Sequence, residues 1–256
     1  MAWGARTVLI TGCNRGIGLE LVRQLLAKPS APQKIFATCR NPDSPQCQAL
    51  NELASKHCNL VVIKLEVTDD KSAKEAAEAV EKHLNGAGLN VLINNAGIMH
   101  PSTLETADAK DMLDVYATNV VGPLLVAKAF LPLLKKSAKE NAGASMGCGK
   151  AALVNVSTLL GSVEKNHLSF GFVPVLSYRC SKAALNMLTN CQSYGYKADG
   201  IMCTALHPGW VKTDLGGSEA DLTVEQSVEG IVNVLNGLNE SHNGILIDWN
   251  GKTIPW

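Results

Sequence analysis

The stretch Val8-Leu9-Ile10-Thr11-Gly12-Cys13-Asn14-Arg15-Gly16-Ile17-Gly18-Leu19 decides the fold. It opens on an unbroken aliphatic run, passes through glycines 12, 16 and 18, and continues with Leu19, Leu21, Val22, Leu25 and Leu26 at helical spacing. The order is strand, tight turn, amphipathic helix. Such a turn exposes backbone N–H groups at the positive end of a helix, with no Cβ to keep an anionic group such as a pyrophosphate at a distance. A tight turn alone explains the glycines about as well, and the GxxxGxG spacing differs from the general GxGxxG dinucleotide fingerprint.

Outward from this unit, short apolar runs recur at Ile35 to Ala37, Leu60 to Ile63, Val91 to Ile93, Leu153 to Val156, Ile201 to Leu206 and Ile245 to Ile247. Most are apolar throughout, as strands covered on both faces are. Helical patterns lie between them. Ala73, Ala76, Ala77, Val80 and Leu84 repeat at 3.6-residue spacing among charged residues, and Asp69 is placed to cap that helix. This βα alternation predicts an α/β fold: a single-domain, doubly wound parallel sheet of Rossmann-like type with helices on both faces, spanning residues 1–256. No repeat and no linker divides it. The segment Ser137 to Lys150, rich in Gly, Ala, Ser and Lys, reads as an exposed insertion.

A chain of 256 residues with 46% hydrophobic content can bury a substantial core, which argues against disorder. Lys+Arg 23 balance Asp+Glu 23, so no global field draws it to nucleic acid or to an anionic membrane. The N-terminus lacks the pattern of a secretory signal. The longest apolar stretch, Val120 to Leu134, is interrupted by Gly122, Pro123, Lys128 and Pro132 and falls short of the roughly 20 residues of a membrane span. Eight cysteines show no CxxC pair and no His at zinc-ligand spacing, so free thiols, no metal and a cytoplasmic location are expected.

Further motifs follow in chain order: Asn94-Asn95-Ala96-Gly97 after the fourth run, Asn119 at the start of a long helix, Asn155-Val156-Ser157 at the end of the fifth run, Tyr178-Arg179-Cys180-Ser181-Lys182, and Pro208-Gly209-Trp210-Val211-Lys212-Thr213 after the sixth. Each alone is modest. Together with Thr11-Gly12…Gly16-Ile17-Gly18 they closely resemble the short-chain dehydrogenase/reductase family over nearly the whole chain, and the ending Asp248 to Trp256 resembles that of sniffer-type carbonyl reductases.

Tyr178 and Lys182 are four residues apart and share a helix face. A phenol with a reference pKa near ~10 is a poor acid–base group at neutral pH, and an adjacent ammonium would lower that value. The resemblance implies catalysis by Ser157, Tyr178, Lys182 and Asn119. In it Ser157 bonds the substrate oxygen, Tyr178 exchanges the proton, Lys182 also binds the nicotinamide ribose, and Asn119 holds a relay water. By residue type alone Asn119 could equally be a helix cap. The resemblance further implies that residues 1–150 mainly hold the cofactor and 151–256 carry catalysis and substrate. Cofactor contacts are implied for Gly12, Asn14, Arg15, Gly16, Ile17, Gly18, Asn94, Ala96, Gly97, Pro208, Gly209, Val211 and Thr213, besides Tyr178 and Lys182.

The second run ends Thr38-Cys39-Arg40, where an NAD enzyme would place a carboxylate against the ribose 2′-hydroxyl. With no carboxylate there, Arg40 and Arg15 can offer guanidinium forks to a 2′-phosphate, which favours NADPH/NADP+. Glu66-Val67 stands where the family usually has Asp-Val near the adenine. None of the histidines is expected to be catalytic: His57, His83 and His242 read as solvated, His207 as packed beneath the cofactor. The loops Thr158 to Pro174 and Lys212 to Leu222 are expected to line an apolar pocket, with Trp210 facing the nicotinamide or substrate. The expected activity is reduction of aldehydes, ketones or quinones; the alternative is a dinucleotide-binding regulator or scaffold without turnover. A small-molecule carbonyl is the expected partner, and a homodimer through the helix after Asn119 and the helix carrying Tyr178 is what many relatives form.

Overall fold

Successive residues of the first strand serve opposite faces: Val8 and Ile10 join one buried cluster with Leu21, Leu25 and Ile231, while Leu9 joins another with Phe36, Phe130 and Leu153. Burial on both sides is why the run carries no polar alternation. The computed structural model describes residues 3–256; Met1 and Ala2, with which the expected domain begins, lie outside the described residues. The strands are β1 (Thr7–Ile10), β2 (Lys34–Cys39), β3 (Leu60–Lys64), β4 (Val91–Asn94), β5 (Ala152–Val156), β6 (Met202–His207), β7 (Leu246–Asp248) and β8 (Thr253–Ile254). They form one 8-stranded sheet in the order β3-β2-β1-β4-β5-β6-β7-β8. All pairings are parallel except β7 with β8, a short antiparallel edge that the sequence pattern does not announce.

The helices are α1 (Gly16–Leu26), α2 (Gln48–Lys56), α3 (Asp70–Leu84), α4 (Ala109–Tyr116), α5 (Gly122–Glu140), α6 (Leu176–Gly195) and α7 (Val224–Asn236). α1 and α7 pack together on one face, α3 and α5 on the other, and α6 lies against α4 and β6. Local chemistry sets the ends. Asp69 accepts from the Lys71 N–H at 2.9 Å and caps α3 as expected, and Thr223 with Gln226 forms a reciprocal capping box on α7. Phe130 is completely enclosed, so Phe130→Ala is expected to cost roughly 3–5 kcal/mol.

Two expectations are corrected. The segment 137–150 is not simply an exposed insertion: α5 continues to Glu140, Ser137 and Ala138 are buried, and Cys148 returns to the core. Ser137 Oγ donates to the Lys150 carbonyl at 2.7 Å and accepts from Asn90 at 2.9 Å, which draws both ends of the segment to the sheet. Its longest exposed run is residues 142–145 at the tip. Nor do the prolines divide the apolar stretch: Pro123 stands directly after the helical turn Ala117–Val121 and Pro132 inside α5, and the helical run continues through both. The helical run Ala109–Glu140 is long and apolar enough to cross a membrane, its most apolar 18 residues having mean hydropathy 1.6, but half of those are buried within the fold.

Candidate active site

Strand order reverses between β1 and β4, and the crevice above their carboxyl ends is where open α/β sheets bind ligands. The glycine turn leaves β1 at this point and is laced to the chain leaving β4. Thr11 Oγ1 accepts from the N–H groups of Asn95 and Ala96, both at 3.0 Å, and Asn95 Nδ2 donates to the carbonyls of Thr11 at 2.9 Å and Gly12 at 3.2 Å. Gly12 has φ +71°, and a methyl on Gly18 would fall 2.2 Å from the Gly12 oxygen. Arg15 at the start of α1 makes no side-chain cap and no acidic residue occupies the first turn. The N–H groups of that turn are therefore free of side-chain caps, and the residues present fit a dinucleotide pyrophosphate. Asn14 and Ile17 are half-buried in the same turn. Thr11 and Asn95, which shape it, stand inside the quoted motifs, but their sequence gives no sign that they pair with each other's strand.

The chemistry-bearing side chains converge at the ends of β4 and β5 and on α6. Ser157 Oγ donates to Asn186 Oδ1 at 2.6 Å, and its N–H is held by the Leu206 carbonyl at 2.7 Å. Lys182 Nζ donates to the carbonyl of Val156, the residue before Ser157, at 2.7 Å, and stands 5.6 Å from the centroid of the Tyr178 ring. Asn119 is not a cap. It lies inside a π-helical turn, Ala117–Val121, that joins α4 to α5. Its side chain exchanges two hydrogen bonds with the backbone of Ile98, each 2.9 Å, and donates to Ser181 Oγ at 3.0 Å. One residue thereby ties the chain leaving β4, at Ile98, to the helix that carries Tyr178 and Lys182.

Burial governs the electrostatics. It pulls the Lys182 ammonium down to about 7 and pushes the Tyr178 phenol above its ordinary value. The expected lowering of Tyr178 by Lys182 is thus not what the protein's own groups produce, because desolvation outweighs the ammonium. A phenol that keeps its proton near neutral pH is in the form needed to donate one. His207 is pulled down to about 4 by burial, partly opposed by Asp248, which fits a packed, neutral imidazole.

The residues expected to contact a cofactor divide into those facing the crevice and those that do not. Thr213 approaches Gly16 from the β6 side, its Cγ2 lying 3.5 Å from where a methyl on that glycine would stand. Gly209 turns at φ +86° with Trp249 and Leu222 close against it. Val211 bridges Leu222, and Trp210 Nε1 donates to the Gly216 carbonyl at 2.7 Å, so this indole braces its own loop. Arg40 is exposed beyond β2, whereas Arg15 pairs with Asp214 at 2.6 Å on the surface. Glu66 accepts from Thr68 Oγ1 at 3.1 Å, and Val67 is buried where a methyl on Gly122 would meet it. The Asn94 side chain is buried and donates to Asn155 Oδ1 at 2.9 Å inside the sheet, which leaves its main chain for a cofactor. Among the described residues no His, Cys, Asp and Glu cluster could hold a metal ion.

A glycine turn, a Ser-Tyr-Lys cluster and a doubly wound sheet define a dinucleotide-dependent oxidoreductase class. The short chain dehydrogenase family model matches residues 6–222, and the chain belongs to that family. It is similar to the NADPH-bound carbonyl reductase from chicken fatty liver, at 52% identity and TM-score 0.94, covering 98% of this chain and 99% of that one. It is also similar to carbonyl reductase Sniffer of D. melanogaster, at 41% identity and TM-score 0.92, covering 98% and 100% of the two chains. An uncharacterized oxidoreductase of Schizosaccharomyces pombe is 32% identical over 269 residues, 96% of each chain.

Proposed function

We propose that the chain is an NADPH-dependent reductase of small-molecule carbonyls, with aldehydes, ketones or quinones as the substrate class. One observation carries this reading: Ser157, Tyr178 and Lys182 meet at the carboxyl end of the sheet, beside a glycine turn whose helix lacks a side-chain cap. When bound, the cofactor supplies the hydride. Tyr178 gives the proton to the carbonyl oxygen, and Ser157 orients that oxygen by a hydrogen bond, its hydroxyl turning its one proton from Asn186 Oδ1 to the substrate. Lys182 holds the nicotinamide ribose and, when protonated, steadies the tyrosine as it loses its proton. Because the Asn119 side chain is committed to Ile98 and Ser181, a relay water is assigned to its main chain, in the π-turn where the regular helical ladder is broken.

In this reading residues 1–150 mainly bind cofactor and 151–256 carry catalysis and substrate. Eight free thiols, five of them buried, support a reducing compartment such as the cytoplasm. Exposed Leu124 on α5 and Met187 and Tyr194 on α6 support pairing of two copies through those helices, which sedimentation of Met187→Lys tests. The deciding assay mixes the protein with NADPH and a panel of reactive carbonyls and follows nicotinamide absorbance. Loss of absorbance with at least one carbonyl is expected; tight NADPH binding with no turnover on any of them overturns the reductase and leaves a dinucleotide-binding regulator.

A further inference from the structure

Arg179, the residue after Tyr178, is almost fully enclosed at 5% exposure, a rare setting for a guanidinium. Its Nε donates to the carbonyls of Val173 at 3.0 Å and Pro174 at 3.1 Å, Nη1 to Asn166 Oδ1 at 2.9 Å, and Nη2 to Ser169 Oγ at 3.0 Å and the Val173 carbonyl at 2.7 Å. The guanidinium carbon also lies 5.6 Å from the Phe170 ring centroid. Every one of these partners belongs to residues 166–174, within the connection that begins after Ser157 and ends before Tyr178.

The first half of that connection is fastened elsewhere. Ser162 Oγ donates to the Pro255 carbonyl at 2.6 Å and the Glu164 N–H to the Trp256 carbonyl at 3.0 Å. The second half has the arginine. It also ends on a strained joint: Val175, buried and β-branched, has φ +23° and ψ +58° at the start of α6. Such a conformation persists only where the surroundings over-determine it. The two carbonyls before the joint are those Arg179 grips, and the Arg179 N–H donates to the Val175 carbonyl at 3.0 Å. One residue ties both sides of the joint.

We propose that Arg179 is a positioning residue: acting through residues 166–174, it holds the connection between Ser157 and Tyr178 in the shape that accepts bulky apolar carbonyls. This rests on the reductase reading. A small carbonyl needs only the groups that Asn186, Leu206 and Val156 fix without Arg179. A large one must also lie against the connection, where Leu168 and Phe172 are exposed at 57% and 90% and offer apolar surface.

The test compares Arg179→Met and Arg179→Lys with the unaltered protein, the lysine keeping the charge but losing the planar fork. Hydrogen exchange of residues 166–174 should quicken in both variants. KM for a bulky aromatic ketone should rise about 10- to 100-fold, as expected for lost hydrogen bonds to a charged group, while KM for a small aldehyde and the NADPH Kd stay within about twofold. Val175→Gly, which removes the strain, should restore part of the lost exchange protection when combined with Arg179→Lys. Unchanged exchange at 166–174 overturns the proposal, as does an equal rise of KM for both substrates. If Arg179→Met fails to fold, the lysine variant carries the same readouts. If the unaltered protein reduces no carbonyl, the reductase reading fails separately and exchange alone decides the strut.

Discussion

Ser157 Oγ lies 2.6 Å from Asn186 Oδ1 and donates its single proton there. The amide is oriented by its other end, where Nδ2 donates to the Gly161 carbonyl at 3.1 Å, a group that can only accept. Asn186 therefore sets the rotamer of the serine proposed to meet substrate. Asn186→Ala should lower kcat/KM by about tenfold through lost orientation while NADPH affinity holds. Steady-state kinetics beside calorimetric titration of NADPH checks this; an unaltered kcat/KM would show that Ser157 needs no such guide.

Tyr178→Phe keeps the ring and helix packing and removes the hydroxyl. NADPH binding should remain near normal and turnover should fall about 10²- to 10⁴-fold, the usual worth of a positioned acid. Single-turnover measurement reads the step directly, and retention of more than about a tenth of the rate would contradict the role.

Coenzyme preference should rest on Arg40. Arg40→Ala should weaken NADPH by about 10- to 100-fold and leave NADH nearly unaffected, in keeping with roughly 1.5–3 kcal/mol for a charge-assisted hydrogen bond. Arg15 is held by Asp214 on the open surface, and exposed pairs contribute only about 0–1 kcal/mol. Asp214→Asn should accordingly tighten NADPH by no more than about fivefold. Dissociation constants of both coenzymes for each variant decide the matter, equal weakening by Arg40→Ala being the adverse result.

Stability should depend on pH through Lys182. Its folded value of about 7 lies below the ordinary 10.5, so between the two the unfolded chain binds a proton that the folded chain does not, and stability increases with pH. Below 7 both states are protonated and this contribution is flat. Above 9 the buried thiols of Cys39, Cys148 and Cys203, each pushed up to about 12, act in reverse, because only the unfolded chain releases their protons. Melting of the protein without added nucleotide should therefore climb from pH 7 to 9 and then decline. Lys182→Met should remove the climb and leave the decline, and a climb that survives the substitution would assign it elsewhere.

Patterns that repeat along the chain were legible in advance. Runs such as Val8 to Ile10 and Leu153 to Val156 become strands because helices cover both faces, and Asp69 caps α3 because its position before an apolar periodicity is a local signal. Tyr178 and Lys182 were legible because one helix places them. The pairings of Asn186, Asn95 and Arg179 were not, since their partners lie in other elements and nothing near them in sequence states the pairing. That the Asn94 amide turns to Asn155 was not legible either, because one strand position decides which way it faces. β8 has two residues, too few for any periodicity. The sign of the Tyr178 shift depends on depth of burial, which spacing does not encode.

The π-turn at Ala117–Val121 inserts extra arc between two helices that are otherwise one rod. An α-helix advances 100° per residue, so removing a single residue from this turn would rotate all of α5 by about that angle relative to α4. The stripe of Val126, Phe130 and Leu134 that now meets the sheet would swing to its flank, while α4 kept its grip on α6. A one-residue deletion here should consequently be far more damaging than one at the exposed tip near Gly143, although both remove the same length of chain. The bulge sets the phase between the helix that leans on Tyr178's neighbourhood and the helix that closes the core, and Asn119 sits at the point where that phase is set.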